Sequence, residues 1–192
     1  VYVDGQYTLA LELLTVVKLG LKIGNEVTEE TLREASLDTE KSVALERAMN
    51  YIARGRRTSA QMRKYLVGKQ YSDDIVDYVM DKMKYYGYVD DQAYAAAYVE
   101  QNMSTKGARR LKQELIQRGI SAEHAEAYAE QDDELSRQNA DRLAQKYMRG
   151  KTGDIKTLVR LQRYLVSRGY DYDTVNEIAR KYKSADQPDM DD

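Results

Sequence analysis

One pattern of about fifty residues occurs three times in this chain and limits its fold more than any other feature. Three windows of the sequence, MRKYLVGKQYSDDIVDYV, LKQELIQRGISAEHAEAY and LQRYLVSRGYDYDTVNEI, align without a gap at offsets of 49 and 50 residues. Tandem repeats of this length are typical of arrays in which each unit buries an apolar face against its neighbours. The shared apolar positions are Met62/Leu111/Leu161, Leu66/Leu115/Leu165, Tyr71/Ile120/Tyr170, Val76/Ala125/Val175 and Val79/Tyr128/Ile178.

The spacing within each window predicts a helix, a turn and a second helix. Apolar residues are four positions apart before the turn and three apart after it, which is the period of one helix face. Gly119 and Gly169 stand where a helix is expected to stop, and Gln70 takes that place in the first copy. Residues that favour the start of a helix follow directly: Ser72, Ser121 and Asp171.

A further helical segment precedes each window, at about Lys41–Arg54, Asp91–Gln101 and Leu135–Met148. We therefore predict a mainly all-α protein, a tandem array of three three-helix repeats that forms an elongated, curved body. The predicted boundaries are residues 1–40 for an N-terminal hairpin and helix segment, 41–90, 91–134 and 135–183 for the repeats, and 184–192 for an acidic tail.

The N-terminal segment begins with a hairpin signal. In VYVDGQYTLAL, Asp4-Gly5 separates two alternating apolar runs, as in a tight two-residue turn. A short helix is expected to follow and to end near Gly20. Thr28 is then placed to begin another helix, TEETLREA.

The composition excludes several classes of function. The chain has no Cys and one His, which removes disulfides, thiol catalysis and a His/Cys zinc site. It contains no GxxxxGK[ST] phosphate loop, and Gly107 and Gly153 are too isolated to form another one. We expect no cofactor and no metal. No apolar run approaches ~18 residues, so we expect a soluble cytoplasmic protein that does not enter a membrane.

The net charge of −2 conceals an alternation that follows the repeats. Residues 43–72 hold 7 basic and 1 acidic residue, 101–118 hold 5 and 1, and 135–170 hold 9 and 2. The intervening stretches 73–100, 119–134 and 171–192 are acidic. Solvated helix faces and acids at helix N-termini explain any single segment. Polarity that recurs in phase indicates a basic stripe suited to phosphates or to an acidic protein groove.

The basic residues concentrate in the loop after the first helix of each repeat and in the second helix. We take them as candidates for contacts with a partner or with DNA, and Tyr65 lies nearby for stacking. The candidates are Arg54, Arg56, Arg57, Arg63, Lys64, Lys106, Arg109, Arg110, Lys112, Arg149, Lys151, Lys156, Arg160 and Arg163.

Two adjacent acid pairs, Asp73-Asp74 and Asp90-Asp91, raise the alternative of a metal-dependent nuclease. Neighbouring residues of a helix point in different directions, so the simpler interpretation is that these acids start helices. His124 has no Ser or acid arranged around it as a triad and is expected near the surface. The stripe Tyr94, Ala97 and Tyr98 has helical spacing and is expected in the core. We therefore predict no catalytic residue.

The stretch GYVDDQAYAAAYV resembles the signature of the RecX family, bacterial regulators of the RecA recombinase. Gly87, Tyr88, Asp90, Asp91, Ala95, Tyr98 and Val99 match this signature, and Tyr94 stands where the family usually has Phe. SAQMRKYL, KGARRLKQEL and QRGIS are also similar to family sequences, and KLGLKIGNEVTEE is similar to longer Gram-positive members.

The resemblance implies a non-enzymatic modulator that binds the RecA–DNA filament along its groove and inhibits recombinase and ATPase activity in DNA repair and recombination. The implied partner is the RecA nucleoprotein filament, with single- or double-stranded DNA as a further candidate, and we expect a monomer. The alternative is an independent nucleic-acid-binding protein built from helix-turn-helix-like units. The acidic third helices weigh against that alternative, because phosphate would repel a recognition helix that carries them.

Overall fold

A computed structural model describes residues 1–183 and shows a mainly helical protein that begins with a small hairpin. The strands β1 (Tyr2–Val3) and β2 (Gln6–Tyr7) pair antiparallel. Asp4 and Gly5 connect them with φ of +50° and +79°, the positive values that a tight hairpin turn of this kind requires. The hairpin predicted at Asp4-Gly5 is therefore confirmed.

The next two helices agree only partly with the sequence. Helix α1 (Leu13–Lys18) ends just before Gly20, as predicted. Helix α2 runs without interruption over Glu29–Ile52, where we predicted one short helix from Thr28 and another at Lys41–Arg54. That prediction was wrong because residues 29–52 contain no Gly or Pro to end a helix. Thr28 does cap α2, since its side chain accepts from the Thr31 amide at 3.2 Å.

The other helices fall into the predicted groups of three. The first repeat comprises α2, α3 and α4, the second α5, α6 and α7, and the third α8, α9 and α10; within each repeat every helix contacts the other two. The bounds are α3 (Ser59–Val67), α4 (Asp73–Tyr85), α5 (Asp91–Asn102), α6 (Ala108–Gln117), α7 (Ala122–Ala129), α8 (Asp133–Met148), α9 (Ile155–Ser167) and α10 (Tyr172–Lys181).

Each repeat has its own apolar core, built from the positions that the sequence alignment relates. Three of the aligned positions are almost fully buried in all three copies: Met62/Leu111/Leu161, Leu66/Leu115/Leu165 and Val76/Ala125/Val175. Tyr71 and Tyr128 depart from the pattern, since both are only half-buried. The period-based prediction of the core is thus confirmed at most of its positions.

In every repeat, the turn between the second and third helices has a residue with a left-handed backbone conformation at the same position. Gly119 and Gly169 have φ of +89° and +92°, and Gln70 adopts +65° in the first copy. At the following N-cap, Ser121 and Asp171 accept hydrogen bonds from the amides of His124 and Thr174. Ser72 is the N-cap residue of α4, as predicted, but its hydroxyl makes no capping bond.

The contacts of the chain define two compact units, one over Val1–Asp90 and one from Asp91 onward. The second unit joins the second and third repeats through a close backbone approach. The Gly107 amide donates to the Arg168 carbonyl at 2.9 Å, and a Cβ on Gly107 would lie 2.5 Å from the Gly169 carbonyl oxygen. A Cβ on Gly169 would lie 2.4 Å from the Arg110 amide nitrogen. Gly107 thus serves packing rather than phosphate binding.

The residue boundaries given above for the repeats stay predictions, as does the curved body. The acidic tail predicted at 184–192 lies outside the described residues.

Candidate functional site

The first repeat carries a stack of two tyrosines with a cation over each ring, which we call the first-repeat stack. Tyr51, at the end of α2, and Tyr65, on α3, lie parallel with ring centroids 4.1 Å apart and an interplanar angle of 8°. The Arg57 guanidinium, from the loop between these helices, lies 4.7 Å from the Tyr51 centroid. The Lys69 ammonium, just after α3, lies 5.7 Å from the Tyr65 centroid. Both rings pack against the core and are half-buried.

The third repeat carries the same arrangement, the third-repeat stack. Tyr147 on α8 and Tyr164 on α9 stack at 5.1 Å with an angle of 22°. Lys151, in the loop between them, lies 3.3 Å from the Tyr147 centroid, and Arg168, at the end of α9, lies 5.1 Å from the Tyr164 centroid. The parts of the stack therefore recur in the same order along the chain.

In the second repeat a carboxylate replaces the second tyrosine. Tyr98 on α5 again has two cations over its ring, Lys106 at 5.3 Å and Arg118 at 4.4 Å. Glu114 on α6 stands at the aligned position of Tyr65 and Tyr164 and accepts a hydrogen bond from the Tyr98 hydroxyl. We call Tyr98, Lys106, Glu114 and Arg118 the second-repeat cluster.

Glu114 is the electrostatic centre of this cluster. Its carboxylate accepts from Lys106 at 2.6 Å and from Arg110 at 2.8 Å, and its side chain is only 11% exposed. Burial raises the pKa of Glu114, but hydrogen bonds from Lys106, Tyr98 and Arg110 outweigh burial and hold it at about 2. Burial lowers the pKa of Lys106, but its hydrogen bonds to Glu114 and Tyr98 outweigh burial, so the pKa is raised overall. The pair is therefore charged at neutral pH and serves the structure.

The sequence pointed to half of the cations in these arrangements. Arg57, Lys106 and Lys151 were predicted from the basic loops, and each lies over a tyrosine ring of its own repeat. Sequence reasoning missed the second set, at the end of the second helix. Their signal was present, because they recur at the same offsets of 49 and 50 residues: Lys69, Arg118 and Arg168.

Several other predicted basic residues have partners in the same repeat or in the next one. Arg63 pairs with Asp77 of α4, and Lys112 pairs with Glu126 of α7. Arg109 of α6 lies over the ring of Tyr172 of α10 at 5.8 Å. These three contacts join different helices, whereas Arg110 pairs with Glu114 of its own helix.

The remaining predicted cations point to solvent. Arg56 is exposed and lies in the loop after α2. The others are exposed and make no ion pair within residues 1–183: Arg54, Lys64, Arg149, Lys156, Arg160 and Arg163.

The acidic pairs lie at helix starts, as predicted. Asp73 and Asp74 occupy the first turn of α4, and Asp91 is the first residue of α5. Within residues 1–183 no three His, Asp or Glu side chains are grouped as metal ligands. His124 is exposed, and its Nδ1 lies 3.0 Å from the Ser121 hydroxyl that caps α7.

The Tyr94, Ala97 and Tyr98 stripe is half-buried, and of these three residues Tyr98 packs against the core of the second repeat, so the prediction holds only in part. The fully buried residue of α5 is Ala95. The tyrosines lie at the edge of the core because their hydroxyls bond to charged groups: Arg118 donates to Tyr94 at 3.2 Å, and Tyr98 donates to Glu114. A hydroxyl with a charged partner needs a site that is open on one side.

Comparison with known proteins assigns the three repeats to one family. The models of the first, second and third three-helix domains of RecX match residues 44–83, 90–128 and 134–178. Regulatory protein RecX of Clostridioides difficile is 29% identical over 195 residues, which covers 99% of this chain and 92% of the relative. Regulatory protein RecX of Clostridium botulinum strain Eklund 17B is 28% identical over 186 residues, which covers 94% and 88%.

The fold agrees with this assignment. A crystal structure of regulatory protein RecX superposes with a TM-score of 0.75 at 24% identity and covers 93% of this chain and 92% of that one. None of the helices in residues 1–183 is long and apolar enough to cross a membrane. On the strength of its three consecutive family domains, the chain belongs to the RecX family of regulatory proteins.

Proposed function

We propose that this protein is a non-enzymatic regulator that binds the RecA–DNA filament in the cytoplasm and inhibits its recombinase activity. The observation that carries the proposal is the run of three RecX domains in their family order, in a chain whose relatives are named regulatory proteins. We infer regulation of RecA for this chain from its membership of that family.

The distribution of charge supports binding to a polyanionic assembly. Exposed cations without an ion pair in the described chain occur in the first repeat, at Arg54 and Lys64, and in the third, at Arg149, Lys156, Arg160 and Arg163. Such residues are free to meet phosphates or carboxylates of a partner at little desolvation cost. In this proposal they form the contact surface, while the ion-paired Arg63, Arg110 and Lys112 support it.

The test is the DNA-dependent ATPase rate of RecA with this protein titrated in, measured beside its binding to bare single-stranded DNA. We expect inhibition at concentrations well below those that coat free DNA. Inhibition that only follows DNA coating would instead favour the alternative, an independent nucleic-acid-binding protein. No inhibition at any concentration would refute regulation of this kind.

A pair of matched variants ties the activity to the surface. Arg160→Glu with Arg163→Glu reverses two exposed cations of α9 and should raise the half-inhibitory concentration at least tenfold. Lys22→Glu with Lys84→Glu makes the same charge change at two exposed lysines outside the candidate set and should leave the half-inhibitory concentration within twofold. Equal effects of the two double variants would show that only net charge matters.

A further inference from the structure

The second repeat differs from the other two at one aligned position of the second helix, and the difference decides which repeats have two paired rings beside their cations. Tyr65 and Tyr164 complete a stack in the first and third repeats, while Glu114 takes that position in the second. Glu114 pairs with both Lys106 and Arg110 and offsets one of their two positive charges. The second-repeat cluster therefore has a carboxylate where the other repeats have a second ring.

The two stacks keep their charge. Arg57 donates only to a backbone carbonyl, that of Arg56, at 3.1 Å. Lys69, Lys151 and Arg168 form no ion pair within the part of the chain that the structure describes. Each stack therefore presents two positive charges beside two stacked rings, and no carboxylate among residues 1–183 forms an ion pair with them.

The rings are fixed and the lysines are not. All four tyrosines pack against the cores of their repeats, whereas Lys69 and Lys151 are exposed. A nucleobase stacked on an aromatic ring contributes more binding free energy than a cation does over a ring at an exposed site. A base can therefore replace either lysine over its ring, and the displaced ammonium can reach the adjoining phosphate.

We propose that the first-repeat stack and the third-repeat stack each bind single-stranded nucleic acid, with a base on Tyr65 or Tyr147 and phosphate on the flanking cations. The second-repeat cluster does not take part. The inference rests on the proposed function, because a regulator of a nucleoprotein filament meets DNA there. An acidic polypeptide fits less well, since carboxylates would use the cations but would leave the paired rings without a role.

The test uses the full chain and an oligothymidylate, without RecA. Because the chain contains 17 Tyr and no Trp, stacking should quench its tyrosine emission. Tyr65→Leu with Tyr147→Leu should weaken binding at least tenfold, while Tyr65→Phe with Tyr147→Phe should stay within threefold of the parent. Tyr85→Leu, at an exposed tyrosine outside both stacks, is the matched control and should leave affinity unchanged.

Full affinity in a folded Leu double variant would overturn the proposal. So would equal competition by polyglutamate and by the oligonucleotide at matched charge, because the occupant would then be an acidic polypeptide. Should the Leu variant fail to fold, the parent protein still gives an answer through photocrosslinking to an oligonucleotide that contains 5-bromouracil. Crosslinks at Tyr65 or Tyr147 support base stacking, and crosslinks confined to other residues contradict it.

The outcome is separable from that of the proposed function. A protein that binds the oligonucleotide through its stacks but leaves RecA unaffected keeps this inference and refutes the regulatory role. A Leu double variant that keeps both its oligonucleotide affinity and its inhibition of RecA keeps the regulatory role and refutes this inference.

Discussion

At the scale of single residues, the side chain at one position of the second helix decides whether the nearby cations lie beside stacked rings or pair with a carboxylate. Tyr65, Glu114 and Tyr164 occupy the same position of the second helix. A tyrosine there stacks on its neighbour, while a glutamate collects Lys106, Arg110 and the Tyr98 hydroxyl around a largely buried carboxylate. Because removing one partner of such a group leaves the others unpaired, Glu114 should matter to stability beyond its own charge.

Glu114 therefore gives stability a specific pH dependence. Its pKa falls from an ordinary 4.5 to about 2 on folding, so its ionised form favours the folded state. The contribution is complete above pH 4.5, declines as pH falls towards about 2, and has an upper limit of about 3 kcal/mol. We expect the difference in unfolding free energy between the parent and Glu114→Gln to shrink over that range, as measured by urea unfolding at several pH values. A difference independent of pH would contradict this, and Glu126→Gln is an exposed control with a smaller expected effect.

A buried tyrosine offers a second test at this scale. Tyr170 is 1% exposed, its hydroxyl has no hydrogen-bond partner among the described protein groups, and burial raises its pKa to about 12. Since an unpaired buried hydroxyl is costly, Tyr170→Phe should stabilise the protein by about 1 kcal/mol. Tyr98→Phe removes a hydroxyl that does have a partner and should destabilise it. Thermal unfolding compares the two, and a loss of stability in Tyr170→Phe would refute the argument.

At the scale of helices, the turn between the second and third helices is built alike in all repeats but is capped differently. A left-handed residue ends the second helix, and the next apolar side chain enters the core. The third helices then begin at Ser72, Ser121 and Asp171, of which only the last two use their side chains as caps.

Alanine substitution at these three positions should separate the two situations. Ser121→Ala and Asp171→Ala each remove a hydrogen-bond acceptor for an N-terminal amide and should each cost about 1 kcal/mol. Ser72→Ala removes no capping bond and should stay within about 0.5 kcal/mol of the parent. The measurement is the free energy of unfolding in urea. Equal losses at all three positions would mean that the cap bond is not what stabilises these helices.

The second and third repeats can approach closely because Gly107 and Gly169 have no Cβ. Gly169→Ala combines a φ of +92° with a Cβ 2.4 Å from the Arg110 amide nitrogen and should cost about 3 kcal/mol. Gly150→Ala is the control, because φ is +74° but no atom lies within 4 Å of the new Cβ, and it should cost about 1 kcal/mol. Urea unfolding distinguishes the two, and similar losses would show that the close approach is unimportant.

At the scale of the whole molecule, the net charge of −2 gives no hint of binding to an anion. More informative is where cations form no ion pair with an acid among residues 1–183, which is in the two stacks and among the exposed cations of the first and third repeats. A protein of this kind can bind a polyanion locally while remaining slightly acidic overall.

The salt dependence of oligothymidylate binding measures how many of these cations act together. For single strands, each phosphate contact adds roughly 0.7 to the slope of log K against log salt concentration. Lys69→Gln with Lys151→Gln should therefore lower the magnitude of the slope by roughly 1.4. Lys18→Gln with Lys22→Gln, in the N-terminal segment, should leave it unchanged. A slope unaltered by the first pair would exclude these lysines from the contact.

The repeat, the helix grouping and most of the core could be predicted from the amino-acid sequence. Apolar periodicity and glycine stops are local signals, and three copies in register reinforce one another, so Leu66, Leu115 and Leu165 could be placed in the core from spacing alone. The hairpin at Asp4-Gly5 was equally readable, because two residues with positive φ specify that turn. The family signature around Gly87–Val99 led to the RecX family.

Which cations have an acidic partner could not be predicted in this way, because it depends on how the helices pack. Lys106, Arg110 and Arg160 look alike in the sequence, yet the first two form ion pairs with Glu114 and the last is exposed without an ion pair among the described residues. The stacks and the contact between Gly107 and Gly169 likewise depend on residues that meet across helices. Periodicity indicates which face of a helix a residue occupies. The partner that the residue contacts depends on how the helices pack, so the candidate site could be identified only from the folded structure.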